Sequence, residues 1–279
     1  MDYSITNIEY GVGPQPSDVI YGSFGNPKPG VIEDNVHSVT LVQGGGKNIL
    51  VDTGVDMADP AKAALWNEIV TTCHGVVWAL EQVDLEPDDI DIVVLTHAHI
   101  DHIGGVQCFK NAQFYIQQQE FEAWERYVQF PQYNQIVIPA AFPDDYPPMR
   151  AMIEDGQVTL FNGDVMSFLP GIDLHVAYNC HSIAEQLVVV KTGGGVPYII
   201  GGDIACRPAN LVGMDGWDGY LAPRIGRSGG AANLFDVYAW ILDMLDGDLS
   251  HLVLTHDCTM RERFSSRPLA DGLSMHFVC

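Results

Sequence analysis

Thr96-His97-Ala98-His99-Ile100-Asp101-His102-Ile103-Gly104-Gly105 is the stretch on which the reading of this 279-residue chain turns. Three histidines and an aspartate fall within six residues, directly after the apolar run Ile92-Val93-Val94-Leu95. Packing does not call for such a cluster. Neutral imidazole and carboxylate are the donors that Zn²⁺, Fe²⁺ and Mn²⁺ accept. In a loop at a strand end, His97 and His99, two residues apart, point one way. Asp101 and His102 turn toward a second centre as the chain enters a helix.

Outward from this segment, short β-rich runs alternate with helical ones. Strands are expected at Val39–Val42, Asn48–Val51, Ile92–Leu95, Phe114–Ile116, Val158–Phe161, Leu174–Ala177, Leu187–Lys191, Tyr198–Ile200 and Leu252–Leu254, all rich in β-branched or aromatic residues. Asp59-Pro60 reads as an N-cap and first helical position leading into Ala61–Val70. Leu234, Val237, Tyr238, Ile241, Leu242 and Leu245 form an amphipathic stripe that ends near Gly247, and a weaker stripe runs through Phe121, Trp124 and Val128. The chain also echoes itself. Ile49-Leu50-Val51-Asp52 resembles Ile199-Ile200-Gly201-Gly202-Asp203, and Leu95-Thr96-His97 resembles Leu254-Thr255-His256. Two similar halves facing each other would bring these strand ends to one edge.

Composition narrows the function. Thirteen Lys and Arg against 36 Asp and Glu leave a formal charge of −23. Such a surface repels phosphate backbones and anionic headgroups, so nucleic acid and membrane are not expected partners. No apolar run approaches the roughly 18 residues of a bilayer span. The first residues carry neither a basic stretch nor an apolar core, and the six cysteines (73, 108, 180, 206, 258 and 279) show no CxxC spacing. A cytoplasmic location is the expectation.

His97-Ala98-His99-Ile100-Asp101-His102 resembles the HxHxDH signature of the metallo-β-lactamase superfamily, and Asp52 in Leu50-Val51-Asp52-Thr53-Gly54 resembles its first motif. His181, Asp203 and His256 stand where the third, fourth and fifth motifs would be. The resemblance runs from Asp52 to His256 and is strongest to the N-acyl-homoserine lactonase-like branch. It implies one domain over residues 1–279, an α/β chain folded as an αββα sandwich of two mixed β-sheets flanked by helices. It also implies a ligand set: His97, His99 and His181 for one divalent metal ion, Asp101, His102 and His256 for another, and Asp203 bridging the two. Zinc is the default, with manganese or iron able to use the same donors. A hydroxide between two metals would then attack a lactone or similar small substrate, with Asp101 and Asp203 as the catalytic carboxylates.

Departures from the branch bear on the substrate. Lactonase-like relatives often read GHxPGH around the third motif, where this chain has Cys180-His181-Ser182-Ile183-Ala184-Glu185. Cys206 stands three residues after Asp203, where acyl-homoserine lactonases carry a substrate-orienting tyrosine. Hydrolytic cleavage of an activated aryl ether, in the manner of an O-demethylase, therefore stays open, as does an iron-dependent oxidoreductase resembling the persulfide dioxygenases. Two segments rich in aromatics, glycine and proline, 118–150 and 207–230, are expected to shape the pocket or to mediate homo- or hetero-oligomer contacts. Cys180, Cys206, Cys258, His37 and Glu185 receive no role from the sequence.

Overall fold

Successive residues of a strand face opposite sides of its sheet, so a strand that is apolar at every position needs cover on both faces. Leu187-Val188-Val189-Val190 is such a run, and its residues divide accordingly. Val188 and Val190 pack between the two sheets of the protein, whereas Leu187 and Val189 pack against an outer helix. This division recurs along the chain and produces four layers.

The structure is a computed structural model and describes residues 2–22, 26, 28–130, 140–193, 195–214 and 230–279. The strands are β1 (Ser4–Pro16), β2 (Ile32–Gly44), β3 (Lys47–Val51), β4 (Thr72–Cys73), β5 (Ile92–Val94), β6 (Gln113–Gln117) and β7 (Val158–Phe161). They continue as β8 (Val165–Leu169), β9 (Ile172–Tyr178), β10 (Ala184–Val190), β11 (Tyr198–Ile200), β12 (Leu252–Val253), β13 (Ser265–Pro268) and β14 (Ser274–Phe277). Among the described residues, one sheet has nine strands in the order β13-β14-β1-β2-β3-β5-β6-β7, with β4 paired to β1. The other has five, in the order β12-β11-β10-β9-β8. Both are mixed: β3, β5, β6 and β7 run parallel in the first, and β11 and β12 in the second.

Ile49, Val51, Ile92 and Val94 of the larger sheet meet Leu174, Val188, Val190 and Ile200 of the smaller one in the central layer. Leu50, Val93 and Phe114 face the other way, toward the helices Gly75–Glu81, Gln118–Tyr127 and Tyr146–Glu154. Leu234, Tyr238, Ile241 and Leu245 lay the expected stripe of the Ala231–Met244 helix on the far side of the smaller sheet. Each fully buried aliphatic side chain contributes on the order of 1.5–3 kcal/mol, so the three interfaces carry most of the fold. The four layers are the αββα sandwich that the motifs implied.

Most expected strands appear within a residue or two at either end. The run expected at Leu187–Lys191 starts earlier, at Ala184, so that Glu185 belongs to the strand. The helix expected over Ala61–Val70 spans Pro60–Trp66, with Asp59 accepting from the Ala61 and Lys62 amides at 2.8 and 3.3 Å, and continues to Val70 only as a turn. In the segments expected to shape the pocket, Phe121, Trp124, Tyr146 and Met149 are core residues. Tyr133 and Pro131 of the first segment, and Trp217, Tyr220, Arg224 and Arg227 of the second, lie outside the described residues.

One buried ion pair holds three of these pieces in place. Lys62 donates to the Gly104 carbonyl at 2.6 Å and pairs with the Asp145 carboxylate, both side chains being almost fully buried. Gly104 ends the Ile100–Ile103 helix, and Asp145 precedes the Tyr146–Glu154 helix. Burial pushes the Asp145 carboxyl up to about 6 even beside this cation. Replacing one member of such a pair strands the other. Lys62→Met is expected to cost about 3–5 kcal/mol in chemical denaturation, and a loss below about 1 kcal/mol would refute this role for the pair.

Candidate metal centre

Four strands end at one edge of the sandwich, and each delivers a polar side chain there. Asp52 follows β3 directly and His97 stands three residues after β5, while Asp203 and His256 stand three residues after β11 and β12. Because β3 runs parallel to β5 and β11 to β12, their carboxyl ends open in the same direction. The repeat seen in the sequence is therefore a repeat in space, one copy per sheet. Close backbone approach underlies it. A Cβ on Gly105 would stand 2.3 Å from the Thr53 carbonyl oxygen, and one on Gly202 (φ +55°) would stand 2.7 Å from Glu185 Oε1.

His97, His99, His181 and Asp203 form one group of donors, and Asp101, His102, Asp203 and His256 another. In the first, His99 Nδ1 lies 2.9 Å from His97 Nε2 and 3.1 Å from His181 Nε2, and Asp203 Oδ2 lies 3.3 Å from His181 Nε2. In the second, His102 Nε2 lies 3.2 Å from Asp203 Oδ1, and His256 Nε2 lies 3.0 Å from Asp203 Oδ2 and 3.4 Å from Asp101 Oδ2. Donors about 2.0–2.1 Å from one tetrahedral ion stand about 3.3 Å apart, so both groups have the spacing of a coordination shell. His102 Nε2 and Asp203 Oδ1 are buried at 3.2 Å and yet neither makes a hydrogen bond. Two such atoms directed at a common point fit a cation between them. All seven residues expected as ligands are thus brought together, and Asp203 alone belongs to both groups.

The surrounding hydrogen bonds determine which nitrogens can ligate. His102 Nδ1 lies 2.7 Å from Asp52 Oδ2, and His256 Nδ1 lies 2.7 Å from the Val36 carbonyl oxygen. With Nδ1–H donating to these acceptors, each ring turns Nε2 inward. Thr96 donates its hydroxyl to Asp52, and its Oγ1 lies 3.0 Å from His97 Nδ1. Asp52 therefore orients one imidazole of each group, His102 directly and His97 through Thr96.

Charge follows the same division. Burial, reinforced by neighbouring imidazoles, pulls His97 and His99 well below the usual range, and burial also lowers His181, which leaves all three in the neutral, ligating form. Burial alone would lower His102 and His256 too, but the carboxylates around them, Asp203 foremost, outweigh it and raise both. Asp101 and Asp203 are held below the usual carboxylate range against burial by those same imidazoles.

Two residues without a role in the sequence reading belong here. His37 Nδ1 is buried 3.3 Å from Asp101 Oδ2, and its ring stands edge-on to His256 and Trp66. Glu185, fully buried, accepts the Asp203 amide at 2.7 Å and lies 3.7 Å from His97 Nδ1. A charged residue just ahead of the apolar run Leu187–Val190 was the available signal for Glu185; His37 offered none. The cysteines stay peripheral. Burial pushes the Cys180 and Cys206 thiols up to about 12, so they are neutral.

Residues 32–176, just over half of the chain, match the profile of the Metallo-beta-lactamase superfamily. An N-acyl homoserine lactonase of Bacillus thuringiensis is 33% identical over 84 residues, 27% of this chain and 34% of that enzyme, so the aligned sequence spans about a third of that relative's length. Over the whole fold the chain resembles a variant of B. thuringiensis AiiA with N-decanoyl-L-homoserine bound at its active site, with a TM-score of 0.68, 18% identity, and 94% and 96% of the two chains covered. It also resembles AidC, a dizinc quorum-quenching lactonase, with a TM-score of 0.66, 16% identity, and 97% and 92% covered.

A protonated imidazole cannot ligate, so a cation entering the second group must displace the protons that the carboxylates hold on His102 and His256. Zn²⁺ added to chelator-treated protein near neutral pH is expected to release protons, read with an indicator dye, and to bind more tightly as pH rises through the range of those histidines. Affinity unchanged between about pH 6 and 8 would contradict this. Asp52→Asn is expected to weaken Zn²⁺ binding about 10–100-fold by loosening His102 and His97.

Proposed function

The chain belongs to the metallo-beta-lactamase superfamily, and on that premise we propose that it is a hydrolase whose seven clustered side chains hold two divalent cations, and that its substrate is a lactone or a similarly small ester. The observation that carries this reading is the sharing of Asp203 between two complete donor groups. His97, His99 and His181 would hold one cation, Asp101, His102 and His256 the other, with zinc the ion best suited to the mixture. Bound there, the pair would supply a hydroxide nucleophile at neutral pH, by lowering the pKa of water from 15.7 to about 7, and a Lewis acid for the substrate carbonyl.

The protein's own part is orientation and proton custody. Asp203 is held from behind, where Glu185 Oε1 accepts a hydrogen bond from its backbone N–H, and both of its carboxylate oxygens lie among the donor groups. Asp101 and Asp203, both kept ionised, are the carboxylates able to take the proton of an attacking water and return it to the leaving oxygen. Asp101 is the more accessible, and His37 beside it limits how far its carboxylate can swing. A single domain would carry the site. The six cysteines are all free, in keeping with a cytoplasmic setting, and no helix among the described residues is long and apolar enough to cross a membrane.

A second substrate reading, cleavage of an activated aryl ether, draws on Cys206. Its neutral thiol, packed with Ile20 and Tyr21, is a weak donor where lactone recognition uses a stronger one. A panel of lactones, thioesters and nitroaryl ethers separates the two by acid release and by coloured phenolate. Wild-type turnover of lactones is expected, and no turnover of any ester or ether by metal-loaded protein would overturn the hydrolase reading. His99→Ala and Asp203→Ala are each expected to lower turnover by several orders of magnitude while leaving the circular dichroism spectrum unchanged.

A further inference from the structure

Three of the proposed ligands reach the site on two separate stretches of chain: His97 and His99 on the segment after β5, and His181 on the turn between β9 and β10. These stretches belong to different sheets. One buried side chain joins them. Glu120, on the Gln118–Tyr127 helix, is 0% exposed. Its Oε1 accepts the amide of Ala98, between His97 and His99, at 3.0 Å, and also the hydroxyl of Ser182, next to His181, at 2.5 Å. Its Oε2 accepts the amide of Ala184 at 2.7 Å. One turn along the same helix, Trp124 donates its indole N–H to Ser182 Oγ at 2.9 Å and sets its ring edge-on to His99, with centroids 4.7 Å apart at 84°.

The second donor group is supported by other residues. His102 is held by Asp52, and His256 by the Val36 carbonyl and the Asn35 side chain, the latter at 3.2 Å. These three supports come from β2 and the residue after β3, and none of them belongs to the Gln118–Tyr127 helix.

We propose that Glu120 is the positioning residue of the first half-site: by tying the Ala98 segment to the Ser182–Ala184 segment it sets the distance from His181 to His97 and His99, and so the affinity for one cation but not the other. This rests on the two-cation reading above. Ala98 and Ala184 each spend their amide on this carboxylate, so its loss leaves two buried donors without acceptors as well as an untethered turn. Removing supports of this kind lowers metal affinity by about 10–100-fold, the size of effect expected here at a single site.

The test is titration of chelator-treated protein with Zn²⁺ alone, followed by calorimetry and by metal analysis after gel filtration. Wild type should take up two ions; uptake of fewer would overturn the two-cation reading and this proposal with it. Glu120→Gln, which keeps the volume and one acceptor oxygen, should bind one ion as wild type does and the other about 10–100-fold more weakly. Two unchanged affinities, or two affinities weakened together in a folded variant, would overturn the positioning role while leaving the two-cation reading intact. Ser182→Ala keeps both backbone bonds to Glu120 and guards against a folding failure. It should weaken the same single ion by a smaller factor, and an unchanged isotherm would count against the proposal. Co²⁺ in place of Zn²⁺ adds a ligand-field spectrum, in which only the component from the three-histidine site should change.

Discussion

A carboxylate buried among five imidazoles is stable only if each neighbour is kept at its station, and Asp203 is in that position. Desolvation alone would neutralise it, yet the surrounding rings keep it ionised. Its place depends on the tight turn at Gly202 and on the hydrogen bond that its backbone N–H donates to Glu185, and the two donor groups share no other member. The rest of the site is arranged around the need to hold that one side chain between two sets of nitrogen atoms.

The layered core makes this possible. Strands that are buried on both faces leave the sheets rigid, with side chains in close contact on either side, so their carboxyl ends present a well-defined edge. Polar groups at that edge are supported in turn by a second layer. Asp52, Thr96 and Glu185 lie beneath the donor groups and are themselves almost fully buried; Asp52 and Thr96 bond to each other and to the site, and Glu185 accepts the Asp203 amide. This explains how so many ionisable groups are tolerated in the interior of a strongly acidic protein: they are not dispersed but bonded into one network.

The sequence made the apolar strands, the helix stripes and the seven converging side chains legible, because each is a local pattern: a run, a period, or a cluster after a run. The long β1 strand is different. Its Gly11, Gly13, Pro14 and Pro16 argue against a strand when read locally, but the glycines are there because Thr72 and Val70 press against the backbone, contacts made only in the folded chain. His37 and Glu120 were hidden for the same reason. Nothing near His37 in sequence marks it as a neighbour of Asp101, and Glu120 sits in a helix among Gln118, Gln119 and Glu122, where one acidic residue looks like the next. Support residues are defined by what they touch across the fold, whereas ligands announce themselves by clustering.

Neither sheet owns a whole site. His97, His99, Asp101 and His102 come from the larger sheet's side, and His181, Asp203 and His256 from the smaller one's, so each donor group is split across the sandwich. A chain whose two sheets had not docked would hold only part of each donor group. On the two-cation reading, tight ion capture would follow the docking of the two sheets, and an occupied centre would report that they have met in register.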